Sequence, residues 1–246
     1  MHILGVIPAR YRSTRLEGKV LADILGKPMI QHVYERACRA RCLDEVVVAT
    51  DDERVITAVR KFGGKAVMTS ASHRSGSDRA AEVAANGDAD VIVNIQGDEP
   101  MLDSRMIEEV VAPFQAGTDA GIVTIKKQVT EETDFKDPNV VKVVTDPDGF
   151  ALYFSRSLLP YPRHATKHFK VFEHLGLYAY TRECLLQLSR LAPSQLEEIE
   201  SLEQLRALEN GIRILVVETR FEGEILSVDT REDLDRVRRI LQETRS

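Results

Sequence analysis

The sequence predicts an α/β protein built on a mostly parallel sheet, and two observations lead to this fold class. Short apolar runs typical of buried strands recur through the first half of the chain, at residues 3–7, 46–49, 66–68 and 91–95. Segments with apolar residues at three- and four-residue steps lie between several of these runs. Strands that alternate with helices favour a parallel sheet with right-handed crossovers.

The helices of the first half are predicted after Gly26-Lys27-Pro28, from Asp52 to Phe62, and from about Asp103 to Phe114. The second half is less regular. Its expected elements are strands at 140–144, 151–154, 175–180 and 214–217, a helical run from Ser194 to Glu209, and a terminal helix from about Arg231. The connection at 157–170 is long, so we expect it to be functional or covered by a partner. We predict a single domain, residues 1–246, with an excursion in the middle.

Composition excludes several classes of function. The 246 residues are 43% hydrophobic and carry a formal net charge of −6, which disfavours a nucleic-acid partner or an anionic membrane surface. No stretch reaches the roughly 18 apolar residues of a membrane span, so we expect a cytoplasmic, soluble protein without membrane insertion. The three cysteines are too scattered for a disulfide framework and are predicted to be reduced and buried.

A basic loop follows the first strand and is the first candidate for chemistry. It begins at Pro8-Ala9-Arg10 and ends at Gly18-Lys19, with four cations in ten residues. Open α/β sheets bind ligands at the carboxyl ends of their strands, so the position of the loop favours phosphate binding by Arg10, Arg15 and Lys19. The alternative is a solvated basic loop. Neither the P-loop pattern nor the Rossmann dinucleotide pattern is present.

Two aspartates are candidates for holding a hard cation. Asp98 follows the strand at 91–95 and stands beside Gly97, where a carboxylate can reach a metal that bridges phosphate oxygens. The alternative is that Asp98 begins a turn with Pro100. Asp229 precedes Thr230 and Asp233, which resemble a capping box for the last helix, so by itself it is typical of a cap or turn residue. Only a pairing with Asp98 favours a metal site.

Two further features have structural explanations. His174 enters the strand at 175–180, and on its own is interpreted as a satisfied core histidine slightly more readily than as a functional one. The acidic run from Glu197 to Glu203 lies on a helix whose apolar residues share one face, so most of its acids are expected to be solvated.

Taken together in order, motifs along nearly the whole chain closely resemble the 3-deoxy-manno-octulosonate cytidylyltransferases, also called CMP-Kdo synthetases, where Kdo is 3-deoxy-D-manno-octulosonate. No single motif is decisive, but their ordered coincidence is very specific. The motifs are Pro8-Ala9-Arg10, Ser13-Thr14-Arg15-Leu16, Gly18-Lys19, Gly26-Lys27-Pro28, Ala49-Thr50-Asp51, Ser75-Gly76, Gln96-Gly97-Asp98-Glu99-Pro100, Tyr153-Phe154-Ser155-Arg156, His174-Leu175-Gly176, Leu202-Glu203-Gln204-Leu205-Arg206 and Val228-Asp229-Thr230.

The resemblance implies a Rossmann-like (GT-A-like) nucleotidyltransferase fold with a mostly parallel mixed sheet, and a homodimer formed through the excursion in the second half. It implies that CTP and Kdo give CMP-Kdo and pyrophosphate, for lipopolysaccharide biosynthesis in a Gram-negative bacterium, with Mg²⁺ as cofactor. The catalytic residues it implies are Arg10, Lys19, Asp98 and Asp229, the last two as metal ligands. The implied nucleotide-binding residues are Pro8, Ala9, Arg10, Arg15, Lys19, Ser75, Gly76 and Arg79. The implied sugar-acid residues are Gln96, Arg156, Arg163, His174, Tyr178, Glu203 and Gln204.

The chain departs from the family pattern at Glu17 and Val20, where proline is usual, and at Glu173, where lysine or arginine is common. Two alternative functions are weighed against the main hypothesis. One is a nucleotidyltransferase for another sugar acid, such as sialic acid, or for a sugar phosphate. The other is a catalytically silent nucleotide-binding protein on the same fold.

Overall fold

A computed structural model of the chain describes residues 1–12, 16–164 and 169–243. The chain divides into two compact units: unit 1 comprises Met1–Glu108 and Phe221–Ser246, and unit 2 comprises Glu109–Arg220. The hypothesis that residues 1–246 form a single domain stays a prediction. Arg15, with Ser13 and Thr14 of the same motif, lies outside the described residues.

Unit 1 is an α/β unit whose main strands all pair in parallel, as predicted. The order of these strands is β6-β1-β4-β5. Its strands are β1 (Ile3–Pro8), β2 (Asp23–Ile24), β3 (Lys27–Pro28), β4 (Glu45–Thr50), β5 (Ala66–Met68) and β6 (Val91–Asn94). Its helices are a 3-10 turn (Lys19–Leu21), α1 (Met29–Ala37), α2 (Glu53–Lys61), α3 (Gly76–Ala85) and the terminal α9 (Arg231–Glu243), while α4 (Ser104–Gln115) crosses the unit boundary.

The central strand β1 sets the place of the site. Its first five residues are buried, and Val6 pairs with Val47 of β4 on one side and Asn94 of β6 on the other. Because parallel strands end at the same edge of a sheet, the segments that follow β1 and β6 lie side by side. Gly97 makes this approach possible: a Cβ there would stand 2.6 Å from the carbonyl oxygen of Pro8, closer than a side chain tolerates.

Unit 2 contains a mixed sheet in the order β11-β7-β10-β8-β9. Its strands are β7 (Ile122–Val129), β8 (Lys142–Thr145), β9 (Ala151–Ser155), β10 (Val171–Thr181) and β11 (Ile214–Glu218), and its helices are α5 (Glu132–Phe135), α6 (Arg182–Leu188), α7 (Gln195–Glu200) and α8 (Gln204–Glu209). β7 pairs with β11 in parallel and with β10 antiparallel. The predicted α/β class is therefore confirmed, with the antiparallel part in unit 2.

Several sequence predictions need correction. α3, α6 and β7 were not predicted, and β10 begins at Val171 rather than 175. The single helical run to Glu209 is two helices, because Ser201 adopts a left-handed conformation at φ 51° and ends α7. All three cysteines are free, but the expectation of burial holds only for Cys184, since Cys38 is exposed and Cys42 is half-buried. No helix in the described ranges combines the length and apolar character that a bilayer crossing requires.

Candidate functional site

Unit 1 has a cleft of about 370 Å³ at the carboxyl edge of its parallel sheet. The basic loop after β1, the start of α3 and the turn after β6 all contribute to its wall. The cleft is lined by Pro8, Arg10, Arg12, Lys19, Val20, Gly76, Gln96, Gly97 and Asp98. Six of the residues predicted from sequence as nucleotide, sugar-acid or metal contacts, namely Pro8, Arg10, Lys19, Gly76, Gln96 and Asp98, therefore share one cavity.

The side chain of Lys19 lies between the two predicted metal ligands. Its ammonium Nζ is 2.7 Å from Oδ2 of Asp98 and 3.0 Å from Oδ1 of Asp229, and it also donates to the carbonyl of Val228 at 3.0 Å. Only 13% of the Lys19 side chain is exposed. The alternative of a solvated basic loop is therefore wrong for Lys19. The two aspartates, which are far apart in sequence, both contact its ammonium.

Burial and charge act on this lysine in opposite directions. Burial by itself lowers the pKa of Lys19, because it disfavours the charged form. Attraction and hydrogen bonds from Asp98, followed by those from Asp229, outweigh the burial, so the pKa lies above the ordinary 10.5. Lys19 is therefore fully protonated at neutral pH, and its charge offsets the repulsion that would otherwise separate the two carboxylates.

The structure confirms the cap interpretation of Asp229, and its role as a metal ligand stays a prediction. The predicted capping box is confirmed, since the Thr230 N–H donates to Asp233 Oδ2 at 2.8 Å and the Asp233 N–H donates to Thr230 Oγ1 at 3.2 Å. The Asp229 N–H also donates to Asp233 Oδ2. The backbone of Asp229 thus belongs to the cap of α9, while its carboxylate reaches Lys19.

The main chain brings the two carboxylates to the same place. The N–H of Val228 donates to the carbonyl of Asp98 at 2.8 Å, so the segment before α9 is bonded to the turn after β6. Among the described residues, no group of three or more histidine, cysteine or acidic side chains is arranged to hold a metal ion. The pair Asp98 and Asp229 nevertheless fits a divalent cation: hard carboxylate oxygens suit magnesium, and the Lys19 ammonium between them acts as a stand-in cation.

The rest of the basic loop is folded back on itself. The N–H of Gly18 donates to the carbonyl of Tyr11 at 2.9 Å, and Gly18 has φ 67°, where a Cβ would meet the Tyr11 ring at 3.1 Å. Arg54 of α2 stacks on the Tyr11 ring, with its guanidinium carbon 3.4 Å from the ring centre. Arg10 donates to the carbonyl of His73. Sequence analysis assigned no role to Tyr11 or Arg54.

The predicted cytidine residues surround the beginning of α3. Ser75 caps this helix in a capping box with Asp78, and Gly76 borders the cleft. Arg79 is fully buried, forms an ion pair with Asp51 at 3.2 Å and donates to the Thr69 hydroxyl. Burial lowers the pKa of Arg79, while Asp51 opposes this shift. Its Nε has no hydrogen-bond partner in the described part of the chain. Ala9 is buried and bonds through its N–H to Ala49.

In unit 2, two of the predicted sugar-acid residues lie in a buried aromatic cluster. The His174 ring is 4.9 Å from Phe154 and 5.3 Å from Tyr178, measured between ring centres. Thr124 Oγ1 lies 3.0 Å from His174 Nε2 and donates its own hydrogen to the carbonyl of Leu177 at 2.9 Å, which assigns Nε2 as the protonated nitrogen. Burial lowers the pKa of His174 to about 3 and raises that of Tyr178 well above its ordinary value.

The other predicted sugar-acid residues of unit 2 lie after β9 and around the start of α8. Arg156 donates from Nε to the carbonyl of Glu200 at 2.7 Å and from Nη1 to that of Pro138 at 2.8 Å. Gln204 is buried, and its Nε2 has no hydrogen-bond partner among the described residues. Glu203 immediately precedes α8 and Arg163 is exposed.

The expectation that most acids near α7 are solvated is wrong for two of them. Glu197 forms a largely buried ion pair with Arg206, and Glu200 accepts from the Ser155 hydroxyl at 2.6 Å. Sequence analysis also missed Lys142, which is fully buried in β8. Its signal was available, because Lys142 stands as a single cation within Val140-Val141-Lys142-Val143-Val144.

Comparisons with known proteins find similar sequences and a similar structure along nearly the whole chain. Residues 4–214 match the sequence profile of the cytidylyltransferases. The 3-deoxy-manno-octulosonate cytidylyltransferase of Geotalea daltonii is 55% identical over 96% of this chain and 97% of its own length, and that of Geobacter metallireducens is 55% identical over 96% of each. The solved structure of CMP:2-keto-3-deoxy-manno-octonic acid synthetase complexed with CTP is 44% identical, covers 99% of this chain and 100% of its own, and superposes with a TM-score of 0.94.

The burial of neutral His174 predicts a pH-dependent stability. Its pKa is about 3 when folded and about 6.5 when unfolded, so between these values only the unfolded state binds the proton. The free energy of unfolding should therefore fall as the pH drops below about 6.5, and His174 should contribute a loss of about 2 kcal/mol between pH 7 and pH 5.

Urea unfolding of the wild type and His174→Gln at the two pH values measures this contribution. We expect the variant to lose less stability on acidification than the wild type. The exposed His164 provides the control, since His164→Gln should keep the wild-type pH dependence. An unchanged pH dependence in His174→Gln would show that His174 is not buried in its neutral form.

Proposed function

Because this chain belongs to the 3-deoxy-manno-octulosonate cytidylyltransferase family, we propose that it transfers CMP from CTP to Kdo and releases pyrophosphate. In unit 1, the observation that carries this proposal is the convergence of Asp98 and Asp229 on the Lys19 ammonium, in a cleft beside a basic loop. A cation site next to phosphate-binding cations is what phosphoryl transfer requires, since it proceeds by positioning and charge stabilisation without a covalent nucleophile.

In this proposal, Arg10, Arg15 and Lys19 bind the triphosphate of CTP, together with main-chain groups at Pro8 and Ala9. The overall charge of −6 makes such a local patch necessary, because the average field of the protein repels a polyanion. Ser75, Gly76 and Arg79 bind the cytidine, and the buried Nε of Arg79 has a hydrogen to donate. Arginine and lysine charges that face the leaving pyrophosphate stabilise it as it forms.

Magnesium is proposed as the cofactor, held by Asp98 and Asp229. When bound, it supplies Lewis-acid polarisation of phosphate oxygen and acidifies the attacking hydroxyl. Lys19 contacts the same carboxylate oxygens, so its ammonium and a divalent cation compete for them. Lys19 released from this contact carries its positive charge to the phosphates. The lysine thereby serves first as counter-ion to the aspartates and then as phosphate ligand.

The sugar acid is proposed to bind through Gln96, Arg156, Arg163, His174, Tyr178, Glu203 and Gln204. Arg156 uses some of its five side-chain N–H groups on carbonyls and keeps others for a carboxylate, which it can pair through its planar fork. The buried, unpartnered Nε2 of Gln204 is suited to donate to a sugar hydroxyl. His174 is neutral at pH 7 because its pKa is about 3, so it orders the pocket without adding charge.

The cellular setting is also part of the proposal. We propose a cytoplasmic homodimer that supplies CMP-Kdo for lipopolysaccharide biosynthesis in a Gram-negative bacterium. Exposed apolar side chains in unit 2, namely Leu152, Tyr161 and Ile199, support an interface between copies of that unit, since large exposed apolar groups favour association.

A pyrophosphate-release assay tests the proposed function. Purified protein is incubated with Mg²⁺, each of the four nucleoside triphosphates and a panel of sugar acids that includes Kdo and sialic acid. We expect release with CTP and Kdo and little with the other combinations. Release with another acid but not with Kdo would overturn the substrate assignment, and no release with any combination would favour a silent nucleotide-binding protein.

The two aspartates predict a second result in the same assay. Asp98→Asn and Asp229→Asn each remove a carboxylate charge and are expected to lower kcat by about 100-fold or more, with the fold retained by circular dichroism. Asp235→Asn provides the control, because Asp235 is an exposed residue of α9 that pairs with Arg238, and its kcat should stay near the wild-type value. A near-wild-type kcat in either site variant would remove that aspartate from the proposed metal site.

A further inference from the structure

Lys142 of unit 2 has an unusual environment. Its side chain is fully buried, and its ammonium donates to three main-chain carbonyls: those of Asp137 at 2.8 Å, Val140 at 2.6 Å and Arg156 at 2.7 Å. A lysine ammonium has three N–H donors, so these carbonyls use all of them. Lys142 therefore links the segment before β8 to the residue that follows β9.

Burial of the Lys142 ammonium costs free energy, because the charge is taken out of water and its direct acceptors are neutral. Burial lowers the pKa of Lys142, and the more distant charges of Asp137 and Glu173 offset only part of this shift. A well-packed apolar side chain can replace a buried charge without loss of stability in many proteins. Stability alone is thus a weak explanation for Lys142, and the position it imposes on the main chain is a better one.

The residue that Lys142 positions is Arg156. While Lys142 donates to the Arg156 carbonyl, the carboxylate of Glu200 accepts from the Arg156 N–H at 2.9 Å. The main-chain carbonyl of Glu200 accepts from Arg156 Nε at 2.7 Å, and that of Pro138 accepts from Nη1 at 2.8 Å. Pro138 lies between two of the carbonyls that bind Lys142. Arg156 is therefore fixed at its N–H, its carbonyl and its guanidinium.

Glu200 also connects Arg156 to a second segment of unit 2, the connection between α7 and α8. It is the last residue of α7, and Ser201 after it begins the connection to Glu203 and Gln204. One carboxylate oxygen of Glu200 accepts from the Ser155 hydroxyl at 2.6 Å, and the other accepts from the Arg156 N–H. Glu200 thus joins the end of β9 to the segment that carries two of the proposed sugar-acid residues.

We infer that Lys142 and Glu200 are positioning residues of the sugar-acid site, which hold Arg156 in a fixed orientation for the carboxylate of the sugar acid. The inference rests on the proposed function, in which Arg156 binds that carboxylate. In this inference both residues act through Arg156 and not by contact with the substrate. A bidentate arginine contact needs accurate placement of its donors, and a rigid surrounding frame supplies it.

The test separates affinity for the sugar acid from general damage to the enzyme. KM for Kdo, KM for CTP and kcat are measured by pyrophosphate release in Lys142→Met and Glu200→Met, which keep an unbranched side chain but remove the hydrogen bonds. We expect KM for Kdo to rise about 10-fold or more, while KM for CTP stays within about 2-fold of wild type. The conservative variants Lys142→Arg and Glu200→Gln retain a donor or an acceptor and should restore most of the affinity for Kdo.

One control variant and one fallback complete the design. Lys126→Met removes another buried ammonium of unit 2, one that donates to the Thr145 hydroxyl instead of Arg156, and should leave KM for Kdo near the wild-type value. Should Lys142→Met fail to fold, Glu200→Met carries the test, because Glu200 is only partly buried.

Unchanged KM for Kdo in the methionine variants, or an equal rise in both KM values, would overturn the inference. Failure of the wild type with Kdo would instead contradict the proposed substrate. In that case the same comparison is made with the sugar acid that the wild type accepts, and a wild type that accepts none overturns both.

Discussion

The ammonium of Lys19, held between the carboxylates of Asp98 and Asp229, is the interaction on which the candidate site of unit 1 depends. It joins the loop after β1, the turn after β6 and the segment before α9, three parts of the chain that are distant in sequence. Without a cation between them, two carboxylates that share a site repel each other. The proposed phosphate-binding lysine and the two proposed metal ligands are therefore parts of one electrostatic unit.

Unit 2 also contains a lysine ammonium with several partners, but the contacts of Lys142 differ in kind from those of Lys19. Lys19 is only partly enclosed and pairs with carboxylates that a metal ion can also bind, so its contacts are exchangeable. Lys142 is fully buried and bonded to main-chain carbonyls, which no ligand replaces. In the proposed function the first lysine changes partners when CTP binds, whereas we infer that the second keeps the backbone around Arg156 fixed. In these two proposals, one lysine ammonium serves for exchange and the other for rigidity.

Strands and helices with strong periodicity could be predicted from the sequence, and so could the capping box of Thr230 and Asp233. α3 was missed because its alanine-rich sequence has a weak apolar stripe, although Ser75 and Asp78 marked its start. β7 was missed because Lys126 and Lys127 interrupt its apolar pattern. The break between α7 and α8 was missed because Ser201 adopts the left-handed conformation there, whereas glycine or asparagine is the usual sequence signal for it.

Part of the candidate site could also be predicted from the sequence. Local pattern identified the basic loop and Asp98, but it left Asp229 as a cap residue, because the contact with Lys19 joins residues 210 positions apart. Arg10 and Arg156 donate to main-chain carbonyls, whereas Arg79 pairs with a distant aspartate and donates to a threonine. Such contacts depend on tertiary packing, which no local pattern encodes.

The competition between Lys19 and a metal ion is tested most directly by Mn²⁺ binding without nucleotide, followed by the electron paramagnetic resonance signal of the free ion. Lys19→Met should bind Mn²⁺ about 10-fold more tightly than the wild type, since the competing ammonium is gone. Lys27→Met, which breaks an ion pair with Glu35 outside the cleft, should bind it as the wild type does. Equal or weaker Mn²⁺ binding in Lys19→Met would contradict the shared cation site.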